Sequence, residues 1–257
     1  MSPRAGFNSY QYPVYNGSTL LALYRNRLAL GGLDFGYAFG RTGEVRLGYE
    51  GGYQHLSPQI GKTSELPTAS GPTGDVRLQY IFDTLNEPFL PETGESVKFY
   101  TKYFNANPAA PHGFPLSELQ IENFFRLSHR STVFLNAYGG TSYGNNTGVP
   151  AFPLGGVTRF LAYGTNELLA NQYFMGQLGY IRKLKDLPPL LGSTIDFLTM
   201  VEAGKTYQLP FGPKPPSVPG DVVGAIVLKT LFGPVEIGGA FGNYGHAKFF
   251  FQVGRIF

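Results

Sequence analysis

The stretch Glu44-Val45-Arg46-Leu47-Gly48-Tyr49-Glu50-Gly51-Gly52-Tyr53 alternates without a break. Val45, Leu47, Tyr49, Gly51 and Tyr53 share one parity; Glu44, Arg46, Gly48, Glu50 and Gly52 share the other. Successive side chains of a strand point to opposite faces, so the segment reads as a strand with one apolar and one charged face. The pattern returns with Val76, Leu78, Tyr80 and Phe82 against Asp75, Arg77, Gln79 and Asp83, and with Val97, Phe99, Thr101 and Tyr103 against Ser96, Lys98, Tyr100 and Lys102. It appears again with Leu119, Ile121, Phe125 and Leu127 against Glu118, Gln120, Glu122 and Arg126. Working outward, alternation and turn residues predict strands near 28–39, 43–55, 74–83, 95–105, 116–127, 131–143, 169–182, 193–206, 221–231, 234–242 and 247–257.

Composition agrees with an all-β chain. Of 257 residues, 42% are hydrophobic and 15% aromatic, with 22 Phe and 17 Tyr, but only 14% are charged, against roughly a quarter in an ordinary soluble domain. With 35 Gly and 20 Pro, helix breakers are too frequent for a mainly helical protein. The aromatic content exceeds what a solvated coil carries. A mean hydropathy of −0.09, with no run near the roughly 20 apolar residues of a spanning helix, excludes a helical membrane bundle. The net charge of +3 is not gathered into a basic stripe, so nucleic acid is not an expected partner. Zero cysteines exclude disulfides and thiolate metal sites. Met1 to Asn8 lacks the apolar core of a signal peptide, so the address of an exported protein would lie upstream.

A soluble sandwich and a transmembrane barrel both alternate; they differ in what the apolar face meets. Connection lengths choose between them. Gly40-Arg41-Thr42-Gly43, Ser128-His129-Arg130-Ser131 and Gly233-Pro234 are tight, and 83–94 and 184–192 are compact. The links at 56–73, 106–115, 144–168 and 207–220 are longer, with 243–246 the exception. Short turns at one rim and long loops at the other fit an outer-membrane barrel whose chain ends in the periplasm.

The last strand sharpens this. Ala247, Phe249, Phe251, Val253 and Phe257 share the apolar parity, and Gly254-Arg255-Ile256-Phe257 closes the chain. Phe251, Val253, Gly254 and Phe257 resemble the β-signal that the barrel assembly machinery reads on outer-membrane proteins. In the longest loop, Phe152-Pro153-Leu154-Gly155-Gly156-Val157-Thr158-Arg159-Phe160-Leu161-Ala162-Tyr163-Gly164 resembles the LGG...RGY loop of the bacterial surface antigen (BamA-like) superfamily. Leu154, Gly155, Gly156 and Tyr163 match; Leu161 and Ala162 replace the arginine and glycine, and Arg159 is the candidate substitute. The turn Asp83-Thr84-Leu85-Asn86 to Pro91-Glu92-Thr93-Gly94 resembles the family's D-x-x-N...P-x-x-G periplasmic turn. Asp34-Phe35-Gly36-Tyr37, Gly43 to Gly48 and the Tyr163-Gly164-Thr165-Asn166-Glu167-Leu168 run look most like the barrel that follows the lipase domain of bacterial patatin-like phospholipases.

The resemblance implies the last eleven of sixteen strands of one outer-membrane barrel domain spanning 1–257, with 144–168 directed into the lumen and no soluble domain present. It implies lipid and the assembly machinery as partners, and a role as membrane anchor or translocator for an attached domain. No chemistry is expected of the segment itself, and neither cofactor nor metal. A GxSxG nucleophile elbow is missing: Gly94-Glu95-Ser96-Val97-Lys98 lacks the final glycine. Gly204-Lys205-Thr206 lacks the upstream glycine of a phosphate loop. His55, His112, His129 and His246 stand at strand ends or in loops without ligand partners in sequence. The inward couples Glu44 with Arg46, Asp75 with Arg77 and Glu122 with Arg126 read as lumen lining. On this reading arginine at Leu78 or Phe99 is costly, and Arg77→Ala is tolerated. Two alternatives stay open: a self-contained twelve-stranded channel in which residues 7–27 supply the extra strand, and a soluble carbohydrate-binding sandwich.

Overall fold

The computed structural model describes residues 1–16, 19–61, 68–144, 151–188, 192–207, 218–230 and 233–254. Its main feature is one antiparallel sheet of twelve strands. In chain order these are β1 (Ser2–Asn16), β2 (Thr19–Phe39), β3 (Gly43–Gly61), β4 (Ala69–Asp83), β5 (Gly94–Ala106), β6 (Phe114–Ser128) and β7 (Ser131–Thr141). After the short pair β8 (Phe152–Leu154) and β9 (Leu168–Ala170) come β10 (Gln172–Asp186), β11 (Thr194–Tyr207), β12 (Gly220–Thr230), β13 (Gly233–Gly242) and β14 (Ala247–Val253). Each strand of the large sheet pairs with its sequence neighbour, and β7 pairs with β10 because β8 and β9 form a separate ribbon. A single 3₁₀ turn, Asn243–Gly245, is the helical element among the described residues.

All eleven expected strands are present, and a twelfth, β1, joins them. The added strand is Ser2–Asn16; residues 19–27 of the 7–27 segment expected to supply it belong instead to β2, which runs from Thr19. As sequence, Gly17-Ser18 between them is a hairpin-type turn pair; the hairpin was not legible because Ser2 to Asn16 shows no sustained apolar–polar alternation.

Burial fixes what each face meets. On the apolar parity Leu47, Tyr49, Tyr53, Val76, Tyr103, Phe125, Leu127, Leu135, Phe174 and Leu178 are exposed. On the opposite parity Asp34, Asp75, Glu118, Glu122, Asn136, Gln177, Glu202, Asp221 and Glu236 are buried. A water-soluble domain places these classes the other way round, and among the described residues the second sheet is only the short β8–β9 ribbon, not the facing layer of a sandwich. The sandwich alternative is therefore corrected: the fold is that of a transmembrane antiparallel β-barrel, polar within and apolar without. Contacts between distant strands show the sheet curling on itself. Lys229 on β12 donates to Glu87 and to the Leu90 carbonyl in the β4–β5 turn, and Asn166 donates to the Gln11 carbonyl on β1 at 3.1 Å.

The inner face is wired across strands more than along them. Glu44 and Arg46 do pair, at 2.6 Å. Arg77 instead bridges Asp34 on β2 and Glu50 on β3, each at 2.8 Å. Asp34 also takes Arg4 at 2.5 Å, Lys102 reaches Asp75 at 3.5 Å, Arg126 takes Glu92 at 2.6 Å, and Lys98 reaches Glu122 at 3.6 Å. Inward side chains two apart on one strand are about 6.6 Å apart, whereas cross-strand neighbours sit nearer 5 Å, so long cations choose the neighbouring strand. Gly48, between Asp34 and Arg77 in register, makes the longest of these spans reachable: a Cβ there would sit 1.9 Å from Asp34 Oδ1. Arg77 is thus the central cation of a network in which Asp34 is shared with Arg4 and Glu50 with Lys102, and its replacement by alanine is costly rather than neutral.

The turns alternate only in part: the 142–171 link stands at the rim opposite the 40–42 and 129–130 turns, but the β1–β2 and 243–246 connections at that rim are short, and the 84–93 turn is longer than the 107–113 link across from it. In the 84–93 turn, Asp83 Oδ1 accepts from Leu85 N at 2.9 Å, and Asn86 Oδ1 accepts from Glu92 N and Thr93 N at 2.9 and 3.0 Å. The two polar residues of the D-x-x-N motif therefore close the turn onto its own backbone. The expected loop at 56–73 is mostly strand, since β3 runs to Gly61 and β4 begins at Ala69, with 62–67 outside the described residues; of the expected 207–220 loop, 208–217 lie outside them.

Candidate functional site

Residues 155–167 form the site. Their base is closed by the β8–β9 ribbon, in register Phe152↔Ala170, Pro153↔Leu169 and Leu154↔Leu168. Leu154 and Phe152 are buried and join the interior cluster with Phe134, Tyr138, Leu161 and Tyr173. Gly155 then turns the chain with φ of +99°, and a Cβ there would lie 2.4 Å from the Gly164 carbonyl oxygen; no other residue fits that position without strain. Gly156, with φ of +105°, follows, and its N–H donates to the Phe160 carbonyl. The Asn166 N–H donates to the Gly155 carbonyl, so the tip folds back onto the two glycines.

Beyond that turn, Phe160, Leu161, Ala162 and Tyr163 are buried against the inner face of β10 to β13. Two carboxylates receive their backbone. Glu202 on β11 accepts from Phe160 N at 3.2 Å and Leu161 N at 2.9 Å, and Asp221 on β12 accepts from Ala162 N at 2.7 Å. Gln177 on β10 ties the set together, donating to Glu202 at 2.7 Å and to the Thr158 carbonyl at 3.1 Å. Three successive N–H groups without secondary-structure partners are thus satisfied by wall side chains.

Arg159 faces the other way, toward β6 and β10. Its guanidinium pairs with Glu118 at 2.5 Å, donates to the Tyr173 hydroxyl at 2.7 Å, and lies over the rings of Tyr138 and Tyr173, each 5.4 Å away. Tyr173 also donates to Glu118, at 2.5 Å. Burial works against the charge of Arg159, but Tyr173 and Glu118 outweigh it and hold the guanidinium more firmly protonated than usual. Arg159 therefore makes an interior ion pair with the wall.

Tyr163 anchors the far side. Its hydroxyl donates to the Asn243 side chain, and its ring stacks on His246 with centroids 4.2 Å apart. Burial first, then the nearby carboxylates of Asp221 and Glu167, push the Tyr163 hydroxyl up to about 12, so it remains a donor. His246 closes the group: Nε2 lies 2.8 Å from Glu167 Oε1 and Nδ1 lies 2.9 Å from the Asn243 carbonyl. The sequence placed His246 without a partner because Glu167 is 79 positions away. Both ring nitrogens face acceptors, which suits the doubly protonated imidazolium. Burial lowers the His246 pKa, but these two hydrogen bonds and the Glu167 charge more than reverse that and raise it above the ordinary value. The stabilisation from a raised pKa is complete below the ordinary value of about 6.5 and fades as pH rises through the folded value. Protease cleavage within 156–166 should accordingly accelerate as pH is raised from about 6 to 8 in the unaltered chain, and stay level in His246→Ala.

The remaining expected site residues lie apart. Phe251 and Val253 are exposed on β14, on the outward parity with Phe249, and Gly254 follows with φ of +114°. Phe257 is outside the described residues. No group of three or more His, Asp or Glu side chains that could hold a metal occurs among the described residues.

Comparison with known proteins adds one kind of finding. No protein-family signature matches the sequence, and no curated protein matches it. Among solved structures, the chain is similar to BamA of Haemophilus ducreyi lacking POTRA domains 1–3, with a TM-score of 0.68 at 12% sequence identity. The match covers 97% of this chain and 57% of that one, so the chain spans little more than half the length of its structural relative.

Proposed function

We propose that the chain is an integral bacterial outer-membrane barrel that anchors, or helps translocate, an attached domain and performs no catalysis itself. The observation that carries this is the inversion of burial, with Tyr49, Leu78 and Phe125 exposed outside and Glu118, Glu122 and Glu202 buried inside. Apolar area on that scale is costly in water and favourable in lipid, and a barrel satisfies its strand hydrogen bonds internally. Residues 155–167, held to the inner wall by Glu202, Asp221 and Arg159, act as a lumen plug that braces the barrel from within. The β14 face bearing Phe251 and Val253 is the segment the assembly machinery would read. That the attached domain is patatin-like rests on the sequence resemblance alone.

The reading is tested by refolding the 257-residue chain into phosphatidylcholine vesicles. It predicts heat-modifiable gel migration, retention of a fused soluble domain on the vesicles, and quiet planar-bilayer recordings. Glu202→Gln keeps one acceptor oxygen but puts an NH2 where the other receives a backbone amide, a loss of about 1–2 kcal/mol, and should introduce brief openings. Failure to form a heat-modifiable, vesicle-bound species would overturn the membrane reading.

A second reading, the self-contained twelve-stranded channel, is favoured by the even strand count that β1 supplies. It predicts large, steady conductance from the unaltered chain. The packed interior around Phe160 and Tyr163 speaks against it.

A further inference from the structure

Two arginines stand on the outer wall, where a barrel has little use for charge. Arg25 and Arg27 lie on β2 at the parity opposite the buried Tyr24 and Asn26, and therefore project outward. Arg4, Arg46, Arg77, Arg126 and Arg159 each pair with a carboxylate. Arg25 and Arg27 make no ion pair among the described residues. Their cross-strand neighbours are Gln11 and Ser57 for Arg25, and Ser9 and His55 for Arg27. The patch is therefore cationic and rich in hydrogen-bond donors, with no carboxylate in it.

Its height is set by strand geometry. Arg27 is twelve residues from Phe39 at the short-turn rim, about 40 Å along the strand and about 30 Å along the barrel axis at a tilt near 40°. The apolar band of such barrels is about 25 Å tall, which puts the two guanidinium groups just above it, at headgroup level on the long-loop side. Below them the wall is acyl-compatible: Phe7, Leu33, Phe35, Tyr49 and Tyr53 are exposed. Directly beneath Arg27 in register lie Phe7, Ala29 and Tyr53, and in the next outward row the small residues Ala5, Gly31 and Gly51, with the Tyr49 ring beside Gly51.

We propose that Arg25 and Arg27 bind the phosphate of an anionic lipid headgroup in the outer leaflet, with the acyl chains of that lipid lying against the exposed apolar wall below them. Residues two apart on one face of a strand lie about 6.6 Å apart, close enough for two planar forks to grip one phosphate or two neighbouring ones. This rests on the outer-membrane reading above, which places lipid against this wall.

The test is native mass spectrometry of the full chain, folded in a neutral detergent, titrated with three probes: bis-phosphorylated lipid A, the same glycolipid with its phosphates removed, and inorganic phosphate. The phosphorylated glycolipid should be retained, and Arg25→Ala/Arg27→Ala should weaken it about 10- to 30-fold, as expected for two interfacial cations at about 1 kcal/mol each. Arg25→Lys/Arg27→Lys should recover part of that binding, and added salt should weaken it. Equal retention of the dephosphorylated glycolipid, or unchanged binding by the double alanine variant, would overturn the proposal. Inorganic phosphate binding as well as the whole lipid would also overturn it, in favour of a free-anion site. Heat-modifiable migration and vesicle retention of the unaltered chain report separately on the barrel: if these fail, the membrane reading fails, and if they hold while the variant binds normally, only the lipid site falls.

Discussion

Replacing Arg159 with alanine will loosen residues 155–167 from the inner wall and destabilise the folded barrel by about 3–5 kcal/mol, the usual cost of removing one partner of a buried ion pair. The size follows from what remains. Glu118 is 5% exposed and would keep the hydroxyls of Tyr173 and Tyr100 and the Gln120 amide as neutral donors but no cation, while the rings of Tyr138 and Tyr173 would lose the cation between them. Arg159→Lys should fall between, since an ammonium keeps the charge but not the fork that reaches Glu118 and Tyr173 together. The informative variant is Arg159→Ala with Glu118→Gln, which removes the stranded charge and should recover much of the loss. Denaturant midpoints of the heat-modifiable form, read beside protease cleavage at 156–166, measure both parts. If Arg159→Ala is as stable and as protected as the unaltered chain, the loop is not held by this pair.

What the sequence revealed, and what it hid, divides along the barrel wall. In β3 to β6 the inner face is lined by charge, and Arg46, Glu50, Asp75, Arg77, Lys98, Glu118 and Glu122 make the alternation plain. In β10 to β13 the loop packs against the wall, so Met175, Ile181, Leu198, Met200, Val223 and Val227 face inward while Phe174, Leu178, Phe197, Val222 and Ile226 face outward. Both parities are apolar there and period two fades, although the strands are as regular as the others. On that inner face Gln177, Glu202 and Asp221 receive the loop, while Asp196, which accepts from Thr194, and Glu236 are buried there as well. An isolated polar residue on an otherwise apolar parity was therefore a readable sign of the inner face, but it does not by itself single out the residues that hold the loop. Ion-pair partners were hidden for a related reason. Arg77 with Asp34 spans 43 positions and Glu167 with His246 spans 79, so only register brings them together.

The inverted faces themselves are tested most sharply at Leu78. It is exposed on β4, flanked in register by Leu47 and Thr101. It lies five residues from Asp83 at the short-turn end, about 13 Å up the barrel axis and near the middle of a band about 25 Å tall. An arginine there meets hydrocarbon with no counter-charge within reach, and Leu78→Arg should cost about 2–4 kcal/mol of folding free energy in vesicles. Gln120→Arg is the matched inward change. It sits on β6 between Glu118 and Glu122, both buried acceptors, and its new charge finds partners instead of lipid. The contrast between the two variants matters more than either value, because any general damage from a bulky cation appears in both. Equal loss of folded, heat-modifiable protein at the two positions would mean that the exposed aromatic and aliphatic wall does not face lipid. A loss confined to Leu78→Arg would place the membrane against the parity that Val45, Leu47 and Tyr49 define.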